Sequence, residues 1–246
     1  MNLILLRHGQ SQWNLENRFT GWKDVSLTEE GIEEARFSGN QLIKANLKID
    51  SIYTSLLERA IETTNIVTEI INFSKNRVQY DWRLNERHYG ALQGFNKSEI
   101  AKEHGEDQVK IWRRSYDIPP PPLSENDKRH PKLNSKFDLI KHELPLGESL
   151  KDVIIRLDPF WKKYIKNIKN KGGNHLIIAH SNSLRAIIKI LESLSSEEII
   201  SVNIPTGVPL VYSLDKNLNI QKKEYLISKK KLKEKQKAVA NQGKSK

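Results

Sequence analysis

A chain of 246 residues can form one large α/β domain or two small ones, and it can bury a substantial core. The absence of cysteine excludes a disulfide framework, a thiol catalyst and a thiolate metal site. No run approaches the roughly 18 apolar residues of a membrane span, and the first apolar run is too short for a signal peptide, so we expect a cytoplasmic protein.

The net charge of +11 is concentrated at the C-terminal end of the chain. Residues 229–246 contain eight lysines and one glutamate, which gives +7. The other 33 basic and 29 acidic residues leave only +4 for residues 1–228. The lysines of the tail lack interleaved aromatic residues for base stacking, so a solvated tail is favoured over nucleic-acid binding. We therefore predict one α/β domain over 1–228 and a lysine-rich tail over 229–246.

Strand-like and helix-like segments alternate along the chain, which is typical of an α/β fold with a largely parallel sheet. Leu3–Leu6 predicts a first buried strand, and Thr28 predicts the N-cap of a following helix. Ile49–Thr54 predicts the second strand. Ser55-Leu56-Leu57-Glu58 predicts a capping box, so that a helix would begin there. Arg59 would then lie in the first turns of this helix, near the carboxyl end of the second strand.

The alternation continues through the second half of the chain. Residues 123–143 should be polar and irregular after the extended Pro119–Pro122. The other predicted elements are a short strand at Val78–Trp82, a mostly polar helix over 96–114 interrupted at Gly105, a long amphipathic helix with apolar positions from Leu150 to Ile168, a strand at His175–Ala179, a helix with an apolar face from Leu184 to Leu191, and a late strand at Pro209–Leu214.

Two histidines, His8 and His180, each follow a short apolar run. Ligands of open α/β sheets bind at the carboxyl ends of the strands, so these side chains could face each other across one pocket. Arg7 adds a fixed positive charge, and Gly9 permits close approach of the backbone to a ligand. This combination indicates a phosphate site.

Phosphoryl transfer is the chemistry that these residues favour. A neutral imidazole at His8 could accept a phosphoryl group as a covalent intermediate. His180 could donate hydrogen bonds to the phosphoryl oxygens, and Arg59 would complete a positive cradle. Metal binding is the alternative explanation for two histidines. It is disfavoured because no carboxylate has a familiar ligand spacing and because Arg7 would repel a cation.

Glu86 is the candidate proton carrier. It lies between Arg83 and Arg87, and a surface carboxylate with cationic neighbours is the simple interpretation. Phosphoryl transfer to or from a hydroxyl requires a proton donor and acceptor, however, and arginine cannot serve near neutral pH. The pair Arg113–Arg114 could bind a second anionic group beyond the one at His8.

Longer motifs surround these residues. They are Arg7–Asn14, Asn17–Trp22, Arg83–Gly94, Ile111–Pro122, Asn182–Arg185 and Asn203–Gly207, with a further match at Ala238–Lys244. Together they resemble the cofactor-dependent phosphoglycerate mutases of the histidine phosphatase superfamily, from residue 3 to about 214. The resemblance implies a three-layer α/β sandwich with a mostly parallel central sheet flanked by helices.

The resemblance implies a glycolytic and gluconeogenic isomerase that interconverts 3-phosphoglycerate and 2-phosphoglycerate through a phosphohistidine. It implies that 2,3-bisphosphoglycerate primes the enzyme by phosphorylating His8 and that no metal is required. Glu86 would be the proton donor, and His180, Arg7 and Arg59 would stabilise the phosphoryl group in transfer. The implied partners are small anionic phosphoglycerates and further copies of the chain in a dimer or tetramer, with no membrane or nucleic acid. Bisphosphoglycerate phosphatase or synthase activity remains an alternative, at least as a minor activity.

The resemblance also assigns substrate contacts. They are Arg7, Ser11, Asn14, Thr20, Gly21, Arg59, Glu86, Tyr89, Lys97, Arg113, Arg114, Ser181 and Asn182. The chain departs from the family pattern at Gln10, where glutamate is usual, and at Ser181, where glycine is usual; Ser181 would add a side chain to the anion pocket. In the related enzymes the C-terminal segment folds over the site and shields the phosphohistidine from water. We therefore expect the tail to act as a lid whose lysines attract anionic substrate.

Overall fold

The computed structural model describes residues 1–242, without the side chains of residues 139, 141–143 and 171. The last four residues of the predicted tail, including the end of the Ala238–Lys244 match, lie outside the described residues. The strands are β1 (Asn2–Arg7), β2 (Ser51–Thr54), β3 (Gln79–Tyr80), β4 (Asn174–Ala179), β5 (Leu210–Leu214) and β6 (Ile220–Tyr225). They form one sheet in the order β3-β2-β4-β1-β5-β6.

Helices connect and flank these strands. The α-helices are α1 (Gln12–Leu15), α2 (Glu29–Lys44), α3 (Glu58–Ile70), α4 (Lys97–His104), α5 (Glu106–Arg114), α6 (Leu150–Lys171), α7 (Ser181–Glu192), α8 (Glu198–Ser201) and α9 (Lys229–Asn241). Short 3₁₀ helices lie at Lys75–Arg77, Trp82–Leu84, Gly90–Leu92, Pro131–Leu133 and Ser135–Glu143. In the part of the chain that the structure describes, no helix combines the length and apolar composition that a bilayer crossing requires.

The sheet is mostly parallel and is covered on both faces. The first four strands in its order pair in parallel, and β5 and β6 pair antiparallel at the other edge. Leu3 and Leu5 of β1 pack with residues of α6 and α7, whereas Ile4 and Leu6 pack with residues of α2 and α3. The apolar run Leu3–Leu6 of β1 is thereby buried on both faces. The predicted three-layer sandwich is confirmed.

Several sequence features that predicted the ends of helices and the positions of strands are confirmed. Thr28 is the N-cap of α2, where its Oγ1 accepts a hydrogen bond from the Gly31 N–H at 3.1 Å. Gly105 separates α4 from α5 with a φ of +85°, a conformation that glycine adopts without strain. The alternation of apolar segments also placed β1, β2, β4 and β5 within a few residues of their observed bounds.

The predicted capping box at residues 55–58 is wrong. Helix α3 begins at Glu58, and its N-cap Leu57 makes no side-chain capping bond. The hydroxyl of Ser55 instead lies 2.7 Å from Nε2 of His180 and accepts a hydrogen bond from the Leu57 N–H. The Ser55 hydroxyl thus contacts His180, which is 125 residues away in sequence, and does not cap the helix as the local pattern predicted.

The tail and the loop over 123–143 contain more structure than the sequence indicated. Residues predicted as a lysine-rich tail form α9, preceded by the edge strand β6. The polar loop forms two 3₁₀ helices, and Phe137 in the second is buried against Trp22 and Leu57. Phe137, with Ile140 packed against the same cluster and Leu123 buried at the start of the loop, therefore anchors this loop to the domain.

Candidate active site

The carboxyl ends of β1 and β4 bring two histidines together. The strands are parallel neighbours with Arg7 opposite Ala179, so that His8 and His180 are the next residues along each strand. Their ring centroids are 4.9 Å apart, and both side chains are buried. Parallel pairing therefore explains why two residues so distant in sequence meet at one place.

His8 presents its Nε2 atom to the site. Its Nδ1 lies 2.7 Å from the carbonyl oxygen of Gly9, and because a carbonyl oxygen can only accept, Nδ1 carries the proton. Nε2 then keeps its lone pair and accepts a hydrogen bond from Nε of Arg59 at 3.2 Å. An imidazole held in this tautomer is a nucleophile at Nε2.

Burial keeps both imidazoles neutral. It lowers the pKa of His8 well below its usual value, and the charges of Arg59 and Arg7 lower this pKa further. Burial also lowers the pKa of His180, with Arg59 and His8 acting in the same direction. At pH 7 both rings are therefore uncharged, and His8 can react without first losing a proton.

Ser55 fixes the orientation of His180 through the 2.7 Å contact between Oγ and Nε2. The other ring nitrogen, Nδ1, is buried and has no hydrogen-bond partner among the described residues. Buried polar atoms are normally paired, so an unpaired one at this place is available to a ligand. Sequence reasoning missed Ser55 as a site residue because no local signal connects it to His180.

Two guanidinium groups flank the histidines. Arg7 donates to the carbonyl oxygen of Ile204 through Nη1 at 2.9 Å, and its buried Nε has no partner in the described chain. Arg59 donates to the carbonyl oxygen of Gly21 through Nη2 at 3.0 Å. Burial lowers the pKa of Arg59 to about 10, against the opposing effect of the Glu86 carboxylate, and the group therefore stays charged at pH 7.

Glu86 faces the same space from the loop that follows β3. Its Oε1 accepts hydrogen bonds from the backbone N–H groups of Arg87 at 2.8 Å and Asn182 at 3.1 Å. Its Oε2 has no hydrogen bond to the described part of the chain, and its carbonyl oxygen accepts from Nε1 of Trp22 at 2.6 Å. One carboxylate oxygen is thus fixed while the other is free to exchange a proton with a ligand.

Most of the predicted site residues line one cavity. They are Arg7, His8, Asn14, Thr20, Gly21, Arg59, Glu86, Tyr89, Lys97, Arg113, Arg114, Ser181 and Asn182. Two predicted residues, Ser11 and His180, are not part of this lining. Ser11 is fully buried as the N-cap of α1, where its Oγ accepts from the Asn14 N–H at 3.3 Å. The observed contact of Ser11 is thus with the backbone of Asn14, and its direct contact with substrate stays a prediction.

Four further residues line the cavity that were not among the individually predicted site residues, although each lies within one of the quoted motifs. They are Arg18, Arg185, Val239 and Gln242. Arg185 is almost fully buried and donates to Oδ1 of Asn182 at 2.9 Å and to the carbonyl oxygen of Ile199 at 2.8 Å. One feature of the sequence could have pointed to Arg185: it is a charged residue next to the apolar face of a predicted helix. Burying such a charge costs free energy unless the side chain binds a ligand or forms an ion pair.

The cavity is strongly positive. Among the described residues, one carboxylate, Glu86, faces seven basic side chains, namely Arg7, Arg18, Arg59, Lys97, Arg113, Arg114 and Arg185. Burial and the neighbouring Arg113 lower the pKa of Lys97 well below its usual value. Burial also lowers the pKa of Arg113 to about 10. Such crowding of cations is unfavourable in the free protein and is relieved by an anionic ligand with several charges.

Asn182 joins both sides of the cavity. Its Nδ2 donates to the hydroxyl oxygen of Tyr89 at 3.2 Å, and its backbone N–H contacts Glu86. Burial raises the pKa of Tyr89, but the charges of Arg87 and Arg113 outweigh this effect and lower it overall. The phenol hydroxyl thus lies in the same positive environment as the basic residues of the cavity.

The C-terminal helix α9 ends at this cavity. Val239 is buried and Gln242 lines the cavity, where its carbonyl oxygen accepts a hydrogen bond from Nη1 of Arg113. Nearer its start, α9 forms an ion pair between Lys235 and Glu34 at 2.6 Å. The predicted tail thus covers one side of the cavity.

Within the described residues, no group of three or more histidine, cysteine, aspartate or glutamate side chains could hold a metal ion. The titratable groups of the cavity are instead mostly cations. The donor set is therefore suited to an anion and ill-suited to a divalent cation.

Comparisons with known proteins agree with this chemistry. The family model described as the histidine phosphatase superfamily (branch 1) matches residues 3–217. A 2,3-bisphosphoglycerate-dependent phosphoglycerate mutase of Treponema denticola is 56% identical over 247 residues, which is 100% of both chains. A protein of the same name from Hydrogenobaculum sp. is 51% identical over 99% of both chains. A solved structure called mycobacterial hydrolase 1 has a similar fold, with a TM-score of 0.68 at 21% identity over 91% of this chain and 95% of that one.

Proposed function

Because the chain belongs to the histidine phosphatase superfamily, we propose that it interconverts 3-phosphoglycerate and 2-phosphoglycerate with 2,3-bisphosphoglycerate as primer. One observation carries the proposal most directly. Nε2 of a neutral His8 lies unprotonated beside Arg59 and His180, in a cavity with seven basic side chains and one carboxylate. This arrangement supports transfer of a phosphoryl group between a small polyanion and the histidine.

The charges and unpaired donors of the cavity support binding of a bisphosphorylated ligand. Nε of Arg7, Nδ1 of His180 and Nε of Arg185 are buried without partners in the described chain. These atoms, together with the surplus of guanidinium groups, can bind phosphate and carboxylate oxygens. When bound, 2,3-bisphosphoglycerate supplies the phosphoryl group that primes His8.

We assign His8 the role of the nucleophile. Its Nε2 lone pair would form a bond to phosphorus as the bond from phosphorus to the donor oxygen breaks, and this oxygen would leave as a hydroxyl with a proton from Glu86. The Gly9 carbonyl oxygen keeps the proton on Nδ1 and so disperses the charge that develops on the ring. Arg7, Arg59 and His180 lie around the same position and would stabilise the oxygens of the transferring group. This function needs no metal ion, because the cationic side chains carry out the charge stabilisation.

Glu86 is assigned the proton transfer to and from the substrate hydroxyl. Its Oε1 is fixed by two backbone N–H groups, which leaves Oε2 to give or take the proton. Lys97, Arg113 and Arg114 would then hold the part of the substrate that does not react, with Asn14, Thr20, Gly21, Tyr89, Ser181 and Asn182 as further contacts. Ser11 would contact the substrate as well as hold the backbone of Asn14.

The tail is assigned the role of a lid over a single catalytic domain. Val239 and Gln242 line the cavity, and their position supports exclusion of water from the phosphohistidine. A cytoplasmic location and assembly into a dimer or tetramer are predictions that follow from the resemblance. A minor hydrolysis of bisphosphoglycerate is expected whenever the lid opens.

Phosphorus NMR tests the function directly, because it resolves the two monophosphates without a coupling enzyme. We expect the purified protein to convert 3-phosphoglycerate to 2-phosphoglycerate when a catalytic amount of 2,3-bisphosphoglycerate is present, and EDTA should not slow the reaction. The variant His8→Ala should be inactive. Failure to form 2-phosphoglycerate, or loss of activity with EDTA, would overturn the proposal.

A further inference from the structure

Glu34 is a buried carboxylate outside the cavity lining that links three distant segments. Its side chain is 8% exposed. Its Oε2 accepts from the backbone N–H of Gln10 at 2.7 Å, and its Oε1 accepts from Oγ1 of Thr206 at 2.8 Å and from Nζ of Lys235 at 2.6 Å. No step assigned to the active site uses this carboxylate.

The contact with Gln10 ties Glu34 to the nucleophile. Gln10 follows Gly9, whose carbonyl oxygen holds Nδ1–H of His8 and so directs Nε2 into the cavity. The same short turn is fixed by a hydrogen bond from the Gly9 N–H to Oγ1 of Thr63 at 3.0 Å. Glu34 is therefore one of the groups that hold the backbone behind His8.

The contact with Lys235 ties Glu34 to the tail. Among the tail lysines within the described residues, Lys235 alone forms an ion pair, and its side chain is 35% exposed. Lys233 lies on the same helix, is exposed and makes no ion pair with the side chains that the structure describes. One turn beyond Lys235, Val239 enters the cavity wall. The ion pair thus lies where it can fix the position of the helix end that covers the site.

We propose that Lys235 and Glu34 form a latch that holds α9 closed and thereby sets how the phosphohistidine divides between transfer and hydrolysis. This inference rests on the proposed function. In hydrolysis, the oxygen of water forms a bond to phosphorus, the bond between Nε2 of His8 and phosphorus breaks, and its electron pair returns to Nε2. Water gives up a proton and the product is inorganic phosphate, so no further reactant is needed. Opening of α9 admits the water.

The latch is tested with the variant Lys235→Met, which keeps the length of the side chain and removes its charge. Lys233→Met is the matched control, because it makes the same change on the same helix at an unpaired lysine. Lys235→Arg keeps the charge and should behave like the wild type. We expect Lys235→Met to hydrolyse its phosphohistidine roughly fivefold faster, the factor that a partly exposed ion pair can contribute to an equilibrium.

A second readout is independent of activity. Hydrogen exchange of the backbone amides of 229–242, measured by mass spectrometry on the free protein, should be faster in Lys235→Met than in Lys233→Met. If Lys235→Met and Lys233→Met agree in both exchange and hydrolysis, the latch is overturned. If the wild-type protein forms no phosphohistidine, the proposed function fails, and the exchange measurement still decides whether the latch exists.

A double-variant cycle shows whether Lys235 acts through Glu34. Glu34→Gln keeps an oxygen that can accept from the Gln10 N–H but removes the charge that attracts Lys235. In a Glu34→Gln background, Lys235→Met should no longer change the exchange of the tail. A full effect of Lys235→Met in that background would contradict the pairing and assign the result to the tail alone.

Discussion

Replacing Glu86 with glutamine separates proton transfer from structure. Oε1 of Glu86 accepts two backbone N–H groups, and the amide oxygen of glutamine can accept the same two. The loop should therefore keep its position, and the free energy of unfolding should change by no more than about 1 kcal/mol. What Glu86→Gln loses is the ability of the second oxygen to exchange a proton with the substrate hydroxyl.

General acid–base catalysis contributes about 10²–10⁴-fold, so kcat of Glu86→Gln should fall by that factor, equivalent to about 3–5 kcal/mol in the barrier. KM should not rise, because the cavity loses the one carboxylate that opposes anion binding among its described residues. Phosphorus NMR with 3-phosphoglycerate and catalytic 2,3-bisphosphoglycerate measures both constants, and urea unfolding measures stability. A fall in kcat of less than tenfold, with stability unchanged, would refute the assignment of Glu86.

Three further predictions test parts of the structure. Burial lowers the pKa of His88 to about 3, so its neutral form contributes stability that is complete above pH 6.5 and is lost as the pH falls toward 3. Urea titrations between pH 6 and 4 should show that the unfolding free energy falls more steeply with falling pH in the wild type than in His88→Asn. The difference between the two slopes should be up to about 1.4 kcal/mol per pH unit. Equal slopes would be inconsistent with a buried neutral ring. Gly9→Ala would place a Cβ 2.1 Å from the Gly31 carbonyl oxygen and should cost at least about 2 kcal/mol in urea unfolding, whereas Gly147→Ala, with its nearest atom at 3.4 Å, should cost much less. Ser55→Ala should lower kcat roughly tenfold without unfolding the protein, because the ring of His180 loses the contact that orients it. If the variant keeps the kcat of the wild type, Ser55 has no part in the mechanism.

The sequence predicted most of the sheet because β1 and β4 are apolar at nearly every position, which only a strand buried on both faces requires. The sequence did not indicate β6, because that strand is mostly polar and exposed and is held mainly by pairing with β5. It also described the tail by its charge, although Leu232, Gln236 and Val239 recur at helical spacing and turn one side of α9 toward the domain.

The site was predictable where residues stand at strand ends or in long motifs. His8 and His180 follow β1 and β4 directly, so parallel pairing alone brings them together. Ser55 could not be assigned in the same way, because its role depends on a contact across the fold. Arg185 ends the Asn182–Arg185 motif, but only the fold shows that it lines the cavity. The hydroxyl of Ser55 had a plausible local use at a helix start, and tertiary structure gave it a different one.

Mapping of the phosphorylated residue shows whether His8 carries the phosphoryl group. The protein would be incubated with 2,3-bisphosphoglycerate, digested at alkaline pH to preserve phosphohistidine, and sequenced by mass spectrometry. We predict a single phosphoryl group on His8, absent from His8→Ala. Phosphate on His180 or another residue, or a phosphorylated His8→Ala, would contradict the account.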